Sequence, residues 1–284
     1  MKWNWGKRIA IVSAVVLATA VSITTVRAAD LLADLEAGEP VRIGFANEVP
    51  WAYPGEDSEP LGFANAIAVG VLQKMGAKTI EPVVTEWGGL IPGLKASQFD
   101  VITGGMYILG ARCENVLFSD PIGVFGDAFI VAKDNPEGIQ TYEDIKRLGV
   151  TLVTGAGYNI VEVAKKQGIP EENIMQVPGP TEILAAVQAG RAAAGGVTYF
   201  TALNLAESSG GTVSVTDPSK LPGWTLNWVG IAFRPSDTAM QEAFNAALKD
   251  YLGSDEMMAS VAPYGYTEAQ LPGDATTAHA CANR

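Results

Sequence analysis

Three aromatic residues, Trp51, Trp87 and Tyr107, fall at the ends of predicted β-strands or in the loops that follow them. In open α/β sheets, ligands collect beyond the carboxyl ends of the strands, so these positions favour contact with a ligand. Aromatic faces attract delocalised or alkylated cations through the ring quadrupole, with about 0.5 to 2 kcal/mol per contact. The three rings could therefore form a cage around a diffuse positive charge. The alternative is that each ring is an ordinary core residue.

Two charged residues near these rings could bind opposite ends of one molecule. Glu48 could supply the counter-charge for a cation, because a carboxylate in a closing cleft is costly unless it is paired. Arg112 could clamp a carboxylate through two parallel N–H bonds, a planar match that lysine cannot reproduce. Backbone N–H groups at Gly155, Gly157 and Asn159, before a predicted helix, could reach the same carboxylate. The alternatives are a solvated loop acid at Glu48 and a surface salt bridge at Arg112.

The remaining residue types argue against the common catalytic and metal sites. The single histidine, His279, lies in a polar tail, which removes the residue that Ser-His, Cys-His and multi-histidine zinc sites need. No pair of acids stands out beside the aromatic residues for acid–base chemistry. We therefore predict a binding protein rather than an enzyme, with no cofactor and no metal.

The first residues have the pattern of a secretory signal. Basic residues at positions 2, 7 and 8 precede an uncharged run over 9–26, and Val26-Arg27-Ala28 fits a cleavage site. We predict that residues 1–28 are removed and that the mature protein resides in the periplasm. The alternative is a retained membrane anchor or a lipoprotein, although polar residues dilute the run and no cysteine lies near the cleavage site.

The charge of the chain limits its partners. Removal of residues 1–28 takes away four of the 19 basic residues and none of the 31 acidic ones, which changes the net charge from −12 to −16. Such a field repels phosphate backbones and argues against nucleic acid as a partner.

Two cysteines occur, Cys113 and Cys281. An even pair in a secreted chain is usually a disulfide, which here would tie the C-terminal tail to the first half of the chain. A loop of that length stabilises by about 5 kcal/mol at most in the chain-entropy model. The alternative is two free, buried thiols.

The elements that must position the candidate residues alternate between strands and helices in two units. The first unit has predicted strands at 41–46, 80–85 and 99–103 and helices at 65–75 and 89–96. The second has predicted strands at 150–153, 173–177 and 193–197 and helices at 142–148, 160–167 and 181–188. This alternation predicts a parallel sheet flanked by helices in each unit. Strand-like segments at 129–133 and 228–234 are candidates for paired crossings between units, and helices at 238–252 and 255–261 follow.

Several short segments resemble one known family. They are VRIG at 41–44, GF at 62–63, LIPGL at 90–94, FDV at 99–101, the stretch 106–112 and FSDP at 118–121. In this order they resemble the amino-acid-binding branch of the type II periplasmic solute-binding proteins of ABC transporters. The resemblance implies an α/β fold of two lobes, each a sheet flanked by helices, with the ligand in the interlobe cleft. It places residues 38–126 and 232–284 in lobe 1 and 127–231 in lobe 2. It also implies a monomer that binds the membrane permease subunits of an ABC transporter.

Within that branch, NEVPW at 47–51, TEWG at 85–88, GMYI at 105–108 and RC at 112–113 resemble the ectoine and hydroxyectoine receptors most closely. The resemblance implies a cage of Trp51, Trp87 and Tyr107, with Glu48 for the ligand's cation and Arg112 for its carboxylate. It also implies ectoine, hydroxyectoine or a similar zwitterionic compatible solute as the ligand.

The chain departs from the family pattern in lobe 2. Relatives that bind ordinary amino acids carry an Asp that holds the α-ammonium, and Thr198 occupies the aligned position here. The lobe-2 loop reads GAGYN at 155–159, which makes Asn159 a further candidate contact. The Thr198 position weakens the case for a standard amino acid. The alternatives to an ectoine-type receptor are a receptor for a polar or cationic amino acid, a periplasmic dehydratase on the same fold, and the sensor domain of a signalling receptor.

Overall fold

The computed structural model describes Met1 and residues 30–283. It is a mixed α/β structure with two main sheets, each flanked by helices, as the sequence predicted. The predicted signal peptide, residues 1–28, lies outside the described residues apart from Met1. Over the described part of the chain, none of the helices has the length and apolar character needed to cross a membrane.

The first sheet draws its strands from both ends of the chain. They are β1 (Val41–Phe45), β4 (Ile80–Val84), β5 (Val101–Tyr107), β6 (Leu117–Phe118), β7 (Gly123–Phe125) and β13 (Asn227–Phe233). Their order is β4–β1–β5–β13–β6, and β7 also pairs with β13. A separate two-stranded sheet consists of β2 (Tyr53–Pro54) and β3 (Pro60–Leu61).

The second sheet is formed by the middle of the chain. Its strands are β8 (Asp127–Ala132), β9 (Leu152–Gly155), β10 (Ile174–Val177), β11 (Ala194–Thr198) and β12 (Val213–Val215). Their order is β10–β9–β11–β8–β12.

The two sheets repeat one arrangement. Each has three parallel strands in which the first in sequence lies between the second and the third, followed by an antiparallel neighbour. That neighbour is β13 in the first sheet and β8 in the second. The predicted parallel strands are therefore present in each sheet, and each sheet also contains an antiparallel strand that the alternation with helices did not reveal.

The two candidate crossing segments, 129–133 and 228–234, lie in β8 and β13. These strands belong to different sheets and pair with other strands rather than with each other. The predicted lobe boundary between residues 231 and 232 falls inside β13, which is paired within the first sheet. The chain thus enters the second sheet at β8 and returns to the first at β13.

Helices cover the sheets. Those from the parts of the chain that form the first sheet are α1 (Leu31–Ala37), α2 (Phe63–Lys74), α3 (Leu90–Lys95), α4 (Gly110–Cys113), α9 (Thr238–Tyr251), α10 (Asp255–Val261) and α11 (Thr277–Asn283). Those from the part that forms the second are α5 (Tyr142–Leu148), α6 (Asn159–Lys166), α7 (Pro180–Gln188) and α8 (Tyr199–Ser208).

Helix α5 has the predicted bounds because its caps are explicit in the sequence. Thr141 and Asp144 form a reciprocal capping box at its start, which satisfies otherwise free N–H groups. Gly149 ends it with a φ of 66°, a left-handed conformation that glycine adopts without a steric penalty.

Successive residues of a strand point to opposite faces of its sheet. In both main sheets, neighbouring residues pack in different apolar clusters, so both faces are buried. In β5, Val101 packs in one apolar cluster and Ile102 in another. In β9, Leu152 and Val153 divide in the same way.

The predicted disulfide is confirmed. Cys113 in α4 is bonded to Cys281 in α11. Their Cα atoms are 6.0 Å apart, and their residue numbers differ by 168. The bond ties the C-terminal helix to α4. Arg112 is the residue before Cys113, so the same bond restrains the segment that carries this candidate side chain.

Candidate ligand-binding site

The structure brings all seven candidate ligand-binding residues around one cavity between the two sheets. The space between its atoms is about 310 Å³, counting its opening to solvent. The lining residues are Glu48, Trp51, Trp87, Gly104, Gly105, Tyr107, Arg112, Tyr158, Asn159 and Thr198. We call Glu48, Trp51, Trp87, Tyr107 and Arg112 the first wall, and Tyr158, Asn159 and Thr198 the second wall.

The first wall collects at one edge of the first sheet. Glu48 and Trp51 lie in the turn after β1, Trp87 begins a 3₁₀ helix after β4, and Tyr107 ends β5. Because β4, β1 and β5 are parallel, the segments after them meet at the same edge. Arg112 follows shortly in α4.

The second wall comes from corresponding positions in the second sheet. Tyr158 and Asn159 lie between β9 and the first turn of α6, and Thr198 ends β11. Thr198 is also the N-cap of α8, where its hydroxyl accepts a hydrogen bond from the Thr201 backbone N–H. The residues of each wall therefore lie at the carboxyl ends of strands or in the segments that follow them.

Trp51 is both a core residue and a cavity residue. Only 2% of it is exposed, and its ring packs against Phe63 and Phe125, with centroids 4.6 and 4.5 Å away. Its indole N–H donates across the cleft to the Thr198 hydroxyl over 2.8 Å. Gly105 (φ +78°) passes so close that a Cβ there would lie 2.3 Å from this ring, so glycine is required.

Trp87 is half-buried and joins both walls. Its indole N–H donates to the Gly157 carbonyl over 3.2 Å, and the Tyr158 ring meets it edge-on at a centroid distance of 5.4 Å. The guanidinium of Arg112 lies 5.7 Å from the Trp87 ring centroid, within the range of a cation–π contact. The cavity is thus lined by four aromatic rings, one more than predicted: Trp51, Trp87, Tyr107 and Tyr158. One of them, Trp87, also contacts the guanidinium of Arg112.

Arg112 is held by carbonyl groups rather than by an acid. Its guanidinium donates to the Tyr107 carbonyl over 3.0 Å and to the Gly157 carbonyl over 3.1 Å. No ion pair of Arg112 occurs over residues 30–283. Burial lowers the pKa of Arg112 to about 10, so the group stays positively charged at neutral pH.

Glu48 is the opposite charge in the cavity, and it is 5% exposed. One carboxylate oxygen accepts a hydrogen bond from the Tyr158 hydroxyl and the other from the Thr201 hydroxyl, each over 2.6 Å. Burial raises the pKa of Glu48, and the two hydrogen bonds partly offset that effect. Both donors come from the second wall or from directly behind it, so Glu48 joins the two sheets.

A second buried acid, Asp127, lies behind the cavity. It accepts hydrogen bonds from the Tyr107 hydroxyl over 3.3 Å and from the Asn159 side-chain amide over 3.2 Å. Burial raises the pKa of Asp127 to about 7, despite these hydrogen bonds. Two predicted site residues are therefore held by an acid that sequence reasoning did not select.

The walls can together hold a small molecule that carries both charges. The first wall offers one carboxylate, one guanidinium and aromatic faces, and the second offers a phenol, an amide and a hydroxyl. Such a set binds and orients a ligand by charge and hydrogen bonding.

Residues 41–266 match the family described as bacterial extracellular solute-binding proteins, family 3. The chain belongs to this family. A probable amino-acid ABC transporter periplasmic-binding protein from Sinorhizobium fredii is 33% identical over 260 residues, which cover 89% of this chain and 86% of the relative.

Two solved structures show how this solute-binding protein resembles its relatives. EhuB in complex with hydroxyectoine has a TM-score of 0.80 and 28% identity, with 89% of this chain and 98% of that chain covered. An ancestral amino acid-binding protein, described as a precursor of cyclohexadienyl dehydratase, has a TM-score of 0.73 and 26% identity, with coverage of 83% and 100%.

Three contributors to the site of this solute-binding protein were missed from the sequence: Tyr158, Thr201 and Asp127. Tyr158 lies beside Asn159 in the loop already singled out, but nothing local marks its hydroxyl as a partner of Glu48. Thr201 stands three residues after Thr198, a spacing typical of a helix start. Asp127 is a lone acid at the start of the apolar segment DAFIVA, a signal that could have been used.

Proposed function

We propose that this chain binds a small zwitterion of the ectoine or hydroxyectoine type and delivers it to the permease subunits of an ABC importer. One observation carries the proposal. Glu48 and Arg112 face the same cavity with opposite charges, and neither has an ion-pair partner over residues 30–283. Their contacts are to neutral hydroxyl and carbonyl groups.

Two unpaired charges in a closed cavity are costly, and a zwitterion offsets both costs at once. Taking a charged group out of water costs several kcal/mol unless a partner compensates it. The carboxylate of a zwitterion would pair with Arg112, and its cation would pair with Glu48. The rings of Trp87 and Tyr158 favour a cation whose charge is spread over several atoms.

The second wall lacks an acid among its lining residues, so the α-ammonium of an ordinary amino acid has no charged partner there. This favours a ligand in which Glu48 alone holds the positive end.

The solved structure of EhuB with hydroxyectoine supports the same ligand class, at 28% identity. The second candidate is a receptor for a polar or cationic amino acid; the name of the Sinorhizobium fredii relative supports an amino acid as the ligand. We propose that the chain is not an enzyme, that residues 1–28 direct its export, and that it works in the periplasm.

Calorimetric titration of the mature protein tests the proposal. The solutes are ectoine, hydroxyectoine, glycine betaine, arginine and glutamine, and we expect one of the first two to bind most tightly. The variant Glu48→Gln should weaken that binding by about tenfold or more, because it removes the counter-charge of the cation. Tight binding of arginine or glutamine without ectoine binding would favour the second candidate, and turnover of added prephenate would refute the assignment as a binding protein.

A further inference from the structure

Asp127 stands where the two halves of the site meet. It is the first residue of β8, the strand by which the chain enters the second sheet, and it is 1% exposed. One of its oxygens accepts from Tyr107, which ends a strand of the first sheet. The other accepts from Asn159, which begins helix α6 beside the second sheet. A single carboxylate thus holds one ligand-facing residue from each wall.

No cation neutralises this carboxylate within residues 30–283. Two titratable groups face Asp127 from neighbouring elements, Tyr107 in β5 and Tyr142 in α5. The hydroxyl groups of both lower the pKa of Asp127 and partly offset the effect of burial. The other titratable groups around the grooves that Asp127 lines are Arg112, Tyr158, Glu162, Lys166 and Tyr199. Asp127 is therefore a buried acid surrounded at close range by neutral donors.

The hydrogen bonds depend on the protonation of Asp127. An ionised carboxylate accepts at both oxygens, whereas a protonated carboxyl group has one oxygen that carries a hydrogen. The side-chain N–H of Asn159 can only donate, so a proton on Asp127 must sit on the oxygen that faces Tyr107, whose hydroxyl can then accept. Ionised Asp127 accepts charge-assisted hydrogen bonds from both walls, whereas protonated Asp127 keeps only weaker bonds between neutral groups.

We infer that Asp127 is a positioning residue of the ligand site, whose ionised carboxylate fixes Tyr107 and Asn159 on opposite walls so that both meet one ligand. This inference rests on the proposed function and deepens it, because it names a residue through which the site acquires its geometry. Burial raises the pKa of Asp127 to about 7, so these hydrogen bonds weaken when the carboxylate takes up a proton below that pH.

The sign of the pH dependence follows from this pKa. A bound cation and an ordered Asn159 favour ionised Asp127, so binding should release its proton and strengthen as pH rises. For a pKa of about 7, Kd should be lower at about pH 8 than at about pH 5.5 by at most roughly thirtyfold, the limit for full release of the proton. Without ligand, ionisation of this buried group opposes folding, so stability should fall as pH rises from about 4 to about 7.

The variant Asp127→Asn tests the inference, with hydroxyectoine and ectoine as probes. Calorimetric titration over about pH 5.5 to 8 should show a Kd that changes less with pH than in the unmodified protein, by about tenfold or more. Glu48→Gln serves as a comparison, because Glu48 is also a buried acid with a raised pKa and supplies its own share of the pH dependence. Asp217→Asn, at an exposed acid of the second unit, should leave the profile unchanged.

A measurement without ligand separates this inference from the proposed function. The side-chain amide resonance of Asn159 should shift with pH in NMR spectra, with a midpoint near 7, and the shift should be lost in Asp127→Asn. If neither solute binds but the amide titrates, the ligand assignment fails while the coupling of Asp127 to Asn159 stands. An amide that does not titrate, or a Kd profile identical in Asp127→Asn and the unmodified protein, would overturn the positioning role.

Discussion

The two walls of the cavity carry different kinds of side chain. The first wall holds both charges, Glu48 and Arg112, and the two tryptophans, whereas the second wall contributes only uncharged groups at neutral pH. The first wall also has the disulfide beside Arg112, which restrains α4. The second wall contacts the first through hydroxyl groups, and the adjoining Gly157 does so through its backbone carbonyl.

This difference suggests a division of labour. Under the proposed function, both ends of a zwitterion find charged partners on the first wall alone. The neutral groups of the second wall would then add hydrogen bonds on closure of the cleft, a movement that such two-lobed sites use. Changes to the first wall should therefore alter affinity strongly, and changes to the second should alter it modestly.

The variant Arg112→Gln should give the largest loss of affinity. It leaves the ligand's carboxylate buried without a partner, and truncation of such a pair costs about 2 to 5 kcal/mol, or roughly 30-fold to 5,000-fold in Kd. Arg112→Lys should recover only part of this loss, because lysine lacks the planar pair of donors. Calorimetric titration with hydroxyectoine measures both.

Arg147→Gln is the matched control for this prediction, because Arg147 is exposed and pairs with Asp144 away from the cavity. It should leave Kd unchanged. If Arg112→Gln also binds hydroxyectoine within about threefold of the unmodified protein, the carboxylate clamp and the contrast between the walls are both wrong.

The two tryptophans of the first wall should respond differently to truncation. Trp87 is half-buried at the cleft, so Trp87→Ala should weaken hydroxyectoine binding by about thirtyfold, the upper range of a cation–π contact, and leave the fold intact. Trp51 packs inside the core, so Trp51→Ala should lower the free energy of unfolding by about 3 to 5 kcal/mol. Denaturant unfolding and titration of both variants measure the two effects.

Trp87→Phe is the control for ring character, since it keeps an aromatic face but loses the N–H bond to Gly157. It should retain more affinity than Trp87→Ala. Unchanged hydroxyectoine affinity in Trp87→Ala would remove this ring from the site.

The aromatic residues of the first wall could be predicted from the sequence because each lies at the end of a recognisable strand or shortly after one. Those strands are largely apolar, and parallel strands place their carboxyl ends together. In the second wall, Asn159 and Thr198 were found by resemblance. Thr201 was missed because helix α8, which positions it, was not predicted.

Contacts between the walls were beyond sequence reasoning for a physical reason. The bond from Tyr158 to Glu48 joins residues 110 positions apart, and that from Thr201 joins residues 153 positions apart. Local patterns specify strands and caps, but they do not specify which side chains meet when two sheets approach. The same limit applies to β13, whose sequence indicates a strand but not its antiparallel partners.

The smallest of these effects should come from Thr201→Val, behind the second wall. The change preserves the shape of the side chain and removes the hydroxyl that donates to one oxygen of Glu48. Loss of a hydrogen bond of this kind costs about 1 kcal/mol, or roughly fivefold in the Kd of hydroxyectoine. Titration at about pH 6 and about pH 8 measures the effect.

The pH dependence distinguishes this prediction from a general loss of stability. The Thr201 hydrogen bond lowers the pKa of Glu48, so its removal raises that pKa further and reduces the ionised fraction more at low pH than at high pH. The loss of affinity should therefore be larger at about pH 6 than at about pH 8. Thr154→Val is the control, because Thr154 makes a buried hydroxyl bond to the Gly196 carbonyl within the second sheet. If Thr201→Val and Thr154→Val behave alike at both pH values, Glu48 does not depend on the second wall for its charge.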